Sequence, residues 1–284
     1  MTMAATAQTD HALRTMCDEG NFRILIASTT ETVRGVLKAQ SPPTDCRALF
    51  ADLIAAAVLL RLTMSPDNRL QVILQHQNAG SLVGDSHPDG VTRGLARLRP
   101  GASLETGPST LLSVHRTMFG GKVHQGVVET SQGQSLADAV TGYLHHSEQI
   151  TSVVGLGNQF DGDELSFAGG YIVQHLPDDE EADEATLALM TARLENLPGV
   201  PTLFKDCDYD TQAVADELFG PIGFETLASD EFHAGCVCSP ERVVTALNSL
   251  SDHEIEELTA DGETLEVDCD YCTTTHQIEP GMLR

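Results

Sequence analysis

The sequence predicts an α+β protein in three parts: an N-terminal domain of antiparallel sheet and helices (residues 1–177), an amphipathic acidic linker (178–232) and a small C-terminal zinc-binding domain (233–284). Three observations lead to this division. Short strand-like runs alternate with turn signals in the first part, helices with breakers follow, and two closely spaced cysteine pairs lie near the C-terminus. A chain of 284 residues is long enough for one good core and a second, smaller unit.

The N-terminal part begins with a predicted strand over residues 21–30 and a helix over 31–40 whose apolar residues recur at helical spacing. Residues 46–62 are rich in Ala and Leu on nearly every face, which predicts a central buried helix. Five strand-like runs, separated by turns rich in Pro, Asp and Gly, follow at residues 70–75, 81–86, 91–98, 111–116 and 122–130. The part ends with a helix and two strands, at residues 135–147, 151–156 and 167–176. This order is typical of an antiparallel meander with helices packed against it.

The predicted linker opens with an acidic run, Asp178–Glu184. A helix follows that Pro198 ends, and a second short helix spans residues 211–219 before a Gly-Pro breaker. One face of the first helix carries an apolar stripe, formed by Leu187, Met190, Leu194 and Leu197. The segment has too few apolar residues for a core of its own, so we expect it to pack against another part of the protein.

The C-terminal part has clear helix and turn signals. Ser239-Pro240 predicts a helix start, Ser251 to Glu254 is a capping box, and Asp261-Gly262 is a turn before a strand over 264–267. The apolar residues of this part are few for a stable fold of about 50 residues. We therefore expect that a bound metal is needed to hold it together.

Two cysteine pairs supply the ligands for such a metal. Cys236 and Cys238 are separated by one residue, and Cys269 and Cys272 by two. Four thiolates predict one tetrahedral Zn²⁺ per chain in the reduced form, in a closed structural site without an open position for hydrolysis. On oxidation the short spacings favour the disulfides Cys236–Cys238 and Cys269–Cys272, and zinc must then leave. The remaining cysteines are expected to be ordinary free thiols, at Cys17, Cys46 and Cys207.

Charge and hydropathy restrict the partners and the compartment. The net charge is −26, and residues 178–284 hold 26 of the 42 acidic residues but only 4 of the 16 basic ones. Such a field repels phosphate backbones, so we expect no nucleic-acid partner. No apolar run approaches the roughly 20 residues of a membrane helix, and the first 20 residues contain no signal-like apolar stretch. These features and the odd number of cysteines predict a cytoplasmic protein that does not bind membranes.

The segment GCVCSPERVVTALNSLSDHEIEELTADGETLEVDCDYC resembles the C-terminal redox switch of the 33-kDa redox-regulated heat-shock chaperone family. The resemblance extends through FRILIASTTETVRGVLKAQ, ALFADLIAAAVLLRLT, VTRGLARL, YLHHSEQI and AGGYIVQHLP, and so covers nearly the whole chain. It implies an ATP-independent holdase of the stress response. The reduced, zinc-loaded form would be inactive, and oxidation would pair neighbouring cysteines and activate a homodimer. That dimer would bind unfolding proteins, for which the stripe of Leu187, Met190, Leu194 and Leu197 supplies the candidate binding residues, and later release them for refolding by other chaperones.

Two alternatives remain open from the residues alone. Cys269-Asp270-Tyr271-Cys272 is also the spacing of a thiol-disulfide oxidoreductase, although that motif normally begins a helix after a strand. The site is also compatible with an inert zinc scaffold that keeps its metal after oxidation. No nucleophile elbow or phosphate-binding Gly-Lys loop is found, and we therefore expect a binding protein rather than an enzyme.

Overall fold

In the computed structural model of this chain, the described residues are 10–17, 21–176 and 184–283, without the side chains of Glu184, Ala185, Leu187 and Pro221. The predicted acidic run at 178–184 therefore lies, apart from the backbone of Glu184, outside the described residues. The chain divides into two units, Met1–Ala234 and Gly235–Arg284. Within the described part, no helix is both long and apolar enough to cross a membrane.

The first unit contains a five-stranded antiparallel sheet. Its strands, in spatial order, are β10 (Glu225–Glu231), β1 (His11–Cys17), β2 (Phe22–Ser28), β9 (Glu164–His175) and β8 (Thr151–Asp161). Strands β2, β8 and β9 correspond to predicted strands, whereas β1 and β10 were not identified from the sequence. The two unpredicted strands pair with each other at one edge of the sheet.

A second sheet of six strands lies in the same unit. Its spatial order is β11 (His233–Ala234), β5 (Val91–Leu98), β4 (Gly80–Ser86), β3 (Arg69–His76), β6 (Thr110–Thr117) and β7 (Val123–Glu129). Strands β3 to β7 pair antiparallel, as the turn-separated runs predicted, and only β11 joins in parallel, beside β5. The predicted α+β class is confirmed.

The main core of the first unit surrounds one helix, α2 (Thr44–Leu62), which contacts strands of both sheets. Phe50, Leu53 and Leu59 on this helix are fully buried, which confirms the prediction of a central buried helix. Two flanking helices are α1 (Thr30–Gln40) and α3 (Leu136–Glu148). A helix that is apolar on all faces is stable in water only when it is surrounded by other elements, and here the two sheets and their neighbouring helices surround it.

A buried carboxylate ties together three strands of the six-stranded sheet. Asp85 on β4 is fully buried and accepts two hydrogen bonds from Arg69 on β3, each 2.7 Å long, and one of 2.8 Å from Arg93 on β5. Burial alone raises the pKa of Asp85, but the neighbouring His87 and Arg69 hold it below its usual range. The carboxylate therefore stays ionised at neutral pH, as paired buried charges do.

The predicted linker packs against the five-stranded sheet within the first unit. Its helices are α4 (Glu184–Glu195), α5 (Val200–Asp206) and α6 (Thr211–Phe219). Phe204, Leu218 and Phe219 are buried in a second cluster with side chains of β2 and β9. The sequence predicted α6 with its observed bounds and the need for a packing partner, whereas α5 was not predicted. The segment also ends in a strand, β10, where only helices were predicted.

The second unit contains two short helices and a hairpin, as predicted. The elements are α7 (Pro240–Leu247), α8 (Asp252–Leu258), β12 (Leu265–Asp268) and β13 (Thr275–Ile278). The side chain of Ser239 caps α7, and the predicted capping box of Ser251 and Glu254 is present at the start of α8. The buried apolar residues described in this unit are only Ile255, Ile278 and Leu283.

Candidate metal centre

The first cysteine pair lies between the end of the first unit and the start of α7. Cys236 and Cys238 belong to an irregular segment that follows β11, and Ser239 immediately caps the next helix. The Ser239 hydroxyl accepts a hydrogen bond of 3.3 Å from the backbone N–H of Arg242. Because the cap fixes the direction of α7, it also fixes the direction in which Cys238 enters the site.

The second cysteine pair lies in the turn of the β12–β13 hairpin. The backbone N–H of Cys269 donates to the carbonyl of Thr274 at 2.9 Å, and the N–H of Thr273 donates to the carbonyl of Cys269 at 2.7 Å. Thr273 has a left-handed backbone, with φ of 59°, which closes this tight turn. Both cysteines of the pair are therefore presented from one side of a rigid hairpin end, while the Sγ of Cys272 lies 3.3 Å from Oγ1 of Thr274.

The four sulfur atoms of the two pairs converge. All four lie within 4.8 Å of one another, and each of the four residues is partly buried. Two separations join one loop to the other: Cys236 to Cys269 at 3.7 Å and Cys238 to Cys272 at 3.5 Å. With zinc–sulfur bonds of about 2.3 Å, the sulfurs of a tetrahedral site are about 3.8 Å apart. Both the donor set and the spacing thus fit a four-thiolate zinc site.

The close approach of the sulfurs perturbs the pKa values of the metal-free thiols. Burial, together with hydrogen bonds from the other three cysteines, raises the pKa of Cys238 above its usual range. Burial also raises the pKa of Cys272, but hydrogen bonds from Thr274 outweigh it and lower the pKa to about 7. Cys272 is therefore ionised to a large extent at neutral pH, which favours the approach of a cation. Bound Zn²⁺ would deprotonate the remaining thiols.

The three other cysteines lie outside this group. Cys17 and Cys46 are buried, Cys207 is partly exposed, and all seven cysteines are free of disulfides. Among the residues that the structure describes, no other group of three or more His, Cys, Asp or Glu side chains gathers its ligand atoms in one place. The contact of Thr274 with Cys272 was not predicted, because no spacing rule points to a hydroxyl beside a cysteine.

The candidate residues for binding unfolded proteins are mostly packed. Met190 is buried, and Leu194 and Leu197 are partly buried against the second cluster. The side chain of Leu187 lies outside the described part of the chain. Helix α4 ends at Glu195, so the prediction that Leu197 lies on the same helix is wrong. The chain leaves the helix there because Pro198 follows, and the residue before a proline disfavours helical backbone. A role in binding remains a prediction.

Comparisons with known proteins agree along nearly the whole length of the chain. The sequence model of the family described as Hsp33 protein matches residues 10–279. The 33 kDa chaperonin of Streptococcus pneumoniae strain JJA is 26% identical over 285 residues, covering 95% of this chain and 96% of that protein. The 33 kDa chaperonin of Streptococcus gordonii strain Challis is 26% identical over 287 residues, with the same two coverages.

A solved structure has the same fold. The crystal structure of the 33 kDa chaperonin from Thermotoga maritima superposes with a TM-score of 0.76 at 21% identity, covering 96% of each chain. At this identity the likeness establishes the fold alone. The family match, in contrast, spans both cysteine pairs as well as the two sheets and the helices between them. The resemblance seen in the sequence is confirmed, and this chain belongs to the Hsp33 family of chaperones.

Proposed function

We propose that this chain is a redox-regulated, ATP-independent holdase whose reduced, zinc-bound form is inactive. The observation that supports this most is the convergence of four cysteine sulfurs within 4.8 Å in a unit with few buried apolar residues. Cys236, Cys238, Cys269 and Cys272 are the ligands we assign to zinc. Bound zinc supplies apparent binding free energy on the order of 10 kcal/mol or more, and in a small unit this is also folding free energy.

Oxidation removes the ligands in pairs. In each pair, two zinc-bound thiolates lose two electrons and form one disulfide, while one molecule of peroxide takes up these electrons and two protons from the solvent and becomes two waters. A disulfide sulfur is a poor ligand compared with a thiolate, so zinc is no longer held. The pairs Cys236–Cys238 and Cys269–Cys272 are favoured because their members stay close in sequence after the loops separate. Gly235–Arg284 holds 11 acidic but only 2 basic residues, and the excess of negative charges produces repulsion within the metal-free unit.

Loss of the zinc-bound fold affects the segment that precedes it. Helices α4 to α6 precede the first cysteine pair in the chain, with strands β10 and β11 between them, and the apolar side chains of these helices cover one face of the five-stranded sheet. We infer that this segment loosens when the second unit unfolds and that Met190, Leu194, Leu197 and the sheet face then bind unfolding proteins. We further infer that the activated form is a homodimer and acts in the cytoplasm.

The two alternative functions differ in their structural needs. An oxidoreductase presents its reactive Cys-x-x-C at the start of a helix, where the helix dipole activates the thiolate. Here Cys269 and Cys272 lie in a hairpin turn, and the sulfur of each lies within 3.7 Å of a sulfur of the first cysteine pair. The arrangement therefore favours metal binding over catalysis. An inert zinc scaffold differs from the proposed switch only in how it responds to oxidation, which an experiment can decide.

The proposed function is tested by light scattering of a thermally aggregating protein, with reduced and with peroxide-treated chain added. We expect suppression of aggregation by the oxidised chain only. Cys207→Ser is a matched control, because burial and the carboxylates of Glu217, Asp206, Asp210 and Asp208 raise the pKa of this thiol and keep it protonated. This variant should switch like the wild type. Equal protection by both forms, or none by either, would contradict the proposal.

A further inference from the structure

One segment occupies the edges of both sheets in the first unit. We call residues 225–234 the edge segment; it comprises β10, Phe232 and β11. β10 pairs antiparallel with β1 at the edge of the five-stranded sheet, and β11 pairs in parallel with β5 at the edge of the six-stranded sheet. The segment ends immediately before Gly235, where the second unit begins.

The edge segment is anchored by one aromatic side chain. Phe232 is 5% exposed and belongs to the main core of the first unit. Beside it the backbone of the turn before β5 comes very close, since a Cβ added at Gly90 would lie 2.6 Å from the carbonyl oxygen of Glu231. The N–H of His233 donates to the carbonyl of Gly90 at 3.1 Å. The turn thus packs closely against the segment's backbone, while the side chain of Phe232 fills a place in the main core that we call the Phe232 seat.

Two residues further on, the space beside Gly35 of helix α1, which we call the Ala234 seat, accepts only a small side chain. Ala234 lies against helix α1 at Gly35, where an added Cβ would come within 2.4 Å of the Ala234 Cβ. Real Cβ atoms do not approach so closely, so any side chain at position 35 must displace Ala234. The two seats together fit a large apolar residue followed, two positions later, by a small one.

The remainder of the edge segment is held mainly through its backbone. β10 carries exposed or half-buried side chains throughout, and its register with β1 shifts at Leu227, which is 60% exposed. One ion pair, between Arg14 and Asp230 at 3.0 Å, adds a side-chain contact. Main-chain pairing at a sheet edge is largely independent of sequence, so an edge that accepts this segment can accept other extended segments.

We propose that the paired edges of β1 and β5 are a docking site for an extended segment of an unfolding protein. The segment adds as a strand to β1 and places a large apolar side chain in the Phe232 seat and a small residue in the Ala234 seat. In the reduced chain the edge segment occupies this site itself and blocks it. The inference rests on the proposed function for the nature of the partner and for the event that frees the site.

Glycine substitutions test this without any oxidation. The variant is Gly35→Ala in the reduced, zinc-loaded full chain. Alanine has a higher helix propensity than glycine and so favours helix α1, but the added Cβ displaces Ala234 from the position it occupies against this helix. Gly142→Ala is the matched control, because Gly142 also lies in a helix, α3, and an added Cβ there meets no atom within 4 Å. The double variant Gly35→Ala/Ala234→Gly restores the space and should behave like the wild type.

The probe is a fluorescein-labelled decapeptide with the sequence of the edge segment, ETLASDEFHA, and binding is followed by fluorescence anisotropy. Only Gly35→Ala should bind it, and amide exchange over residues 225–234 should rise about tenfold or more in that variant alone. Serine in place of the peptide's phenylalanine should weaken binding about 10- to 100-fold, as expected for a buried aromatic side chain.

Each other result overturns the proposal. Unchanged exchange in Gly35→Ala means that the Ala234 seat does not hold the segment. Fast exchange without peptide binding means that the freed edges are not a docking site, and equal binding by the reduced wild type means that the site is not blocked. Phe232→Ala, checked by zinc content and far-UV circular dichroism, is a second way to free the segment if Gly35→Ala does not fold. Because no step uses an oxidant, failure of the redox switch would not affect these results.

Discussion

In the proposed switch, the pairing of the cysteines on oxidation decides whether the second unit unfolds. By the chain-entropy relation, disulfides that close loops of three and four residues, as in Cys236–Cys238 and Cys269–Cys272, contribute about 1.6 and 1.9 kcal/mol. Their sum of about 3.5 kcal/mol is far below the 10 kcal/mol or more expected from zinc. A single disulfide between the loops, Cys238–Cys272, closes 35 residues and alone contributes about 3.8 kcal/mol. We expect oxidation to form the disulfides Cys236–Cys238 and Cys269–Cys272, and the second unit to unfold as a result.

A tryptic digest distinguishes the two pairings directly. Between Lys205 and Arg284 the only trypsin site is Arg242, so the two cysteine pairs fall in separate fragments, 206–242 and 243–284. Peroxide-treated, alkylated Cys207→Ser chain should give two unlinked fragments, each lighter by two hydrogens than its fully reduced form. A single linked species that separates only after reduction would refute the argument from loop length. The sulfur distances do not anticipate the outcome, because Cys238 and Cys272 are only 3.5 Å apart while the site is assembled.

Further predictions concern the first unit. Burial raises the pKa of Asp52 to about 6, against an unfolded value near 3.8, so ionisation of Asp52 destabilises the fold as pH rises through this interval. In urea titrations, Asp52→Asn should therefore add ~1–2 kcal/mol to the unfolding free energy at pH 7.5 and nothing at pH 4. Asp85→Asn leaves the partly buried Arg69 and Arg93 without this carboxylate and should cost ~2–3 kcal/mol at pH 7, with the loss shrinking as pH falls below 4. An equal loss at low pH would contradict the ion-pair explanation. Phe204→Ala leaves a cavity in the second cluster, between the linker helices and the sheet, and should cost ~3–5 kcal/mol of unfolding free energy in thermal unfolding. Leu189 is 42% exposed, and Leu189→Ala should cost less than about 0.5 kcal/mol.

Local signals in the sequence predicted most of the elements and the grouping of the four cysteines. The cysteine pairs, the caps at Ser239 and Ser251 and the periodicity of the central helix are each readable within a few residues. The convergence of the two pairs could also be anticipated, because two cysteine pairs at this spacing can bind one metal ion only if all four sulfurs come together. What the sequence does not give is the distance between sulfurs or the hydroxyl of Thr274 beside Cys272.

The sequence did not predict strands β1 and β10. β1 has buried Thr15 among its inward residues and lacks a clear alternation, although its hairpin partner β2 follows within a few residues. β10 is polar and largely exposed, and it is a strand because it pairs with β1, as in the pair Arg14 and Asp230, 216 residues apart. No short stretch of sequence around β10 contains that partner. The same holds for Gly35, whose role is apparent only once Ala234 is seen to lie against it.

In the proposed mechanism, oxidation of Cys236, Cys238, Cys269 and Cys272 releases zinc and thereby unfolds the second unit while the first remains folded. The decisive experiment follows zinc release with a chromogenic chelator and secondary structure by far-UV circular dichroism in one sample during mild peroxide treatment. We expect one zinc released per chain, with a parallel loss of signal the size of the second unit's short helices and hairpin. Retention of zinc after complete thiol loss, or release without any change in the spectrum, would contradict it.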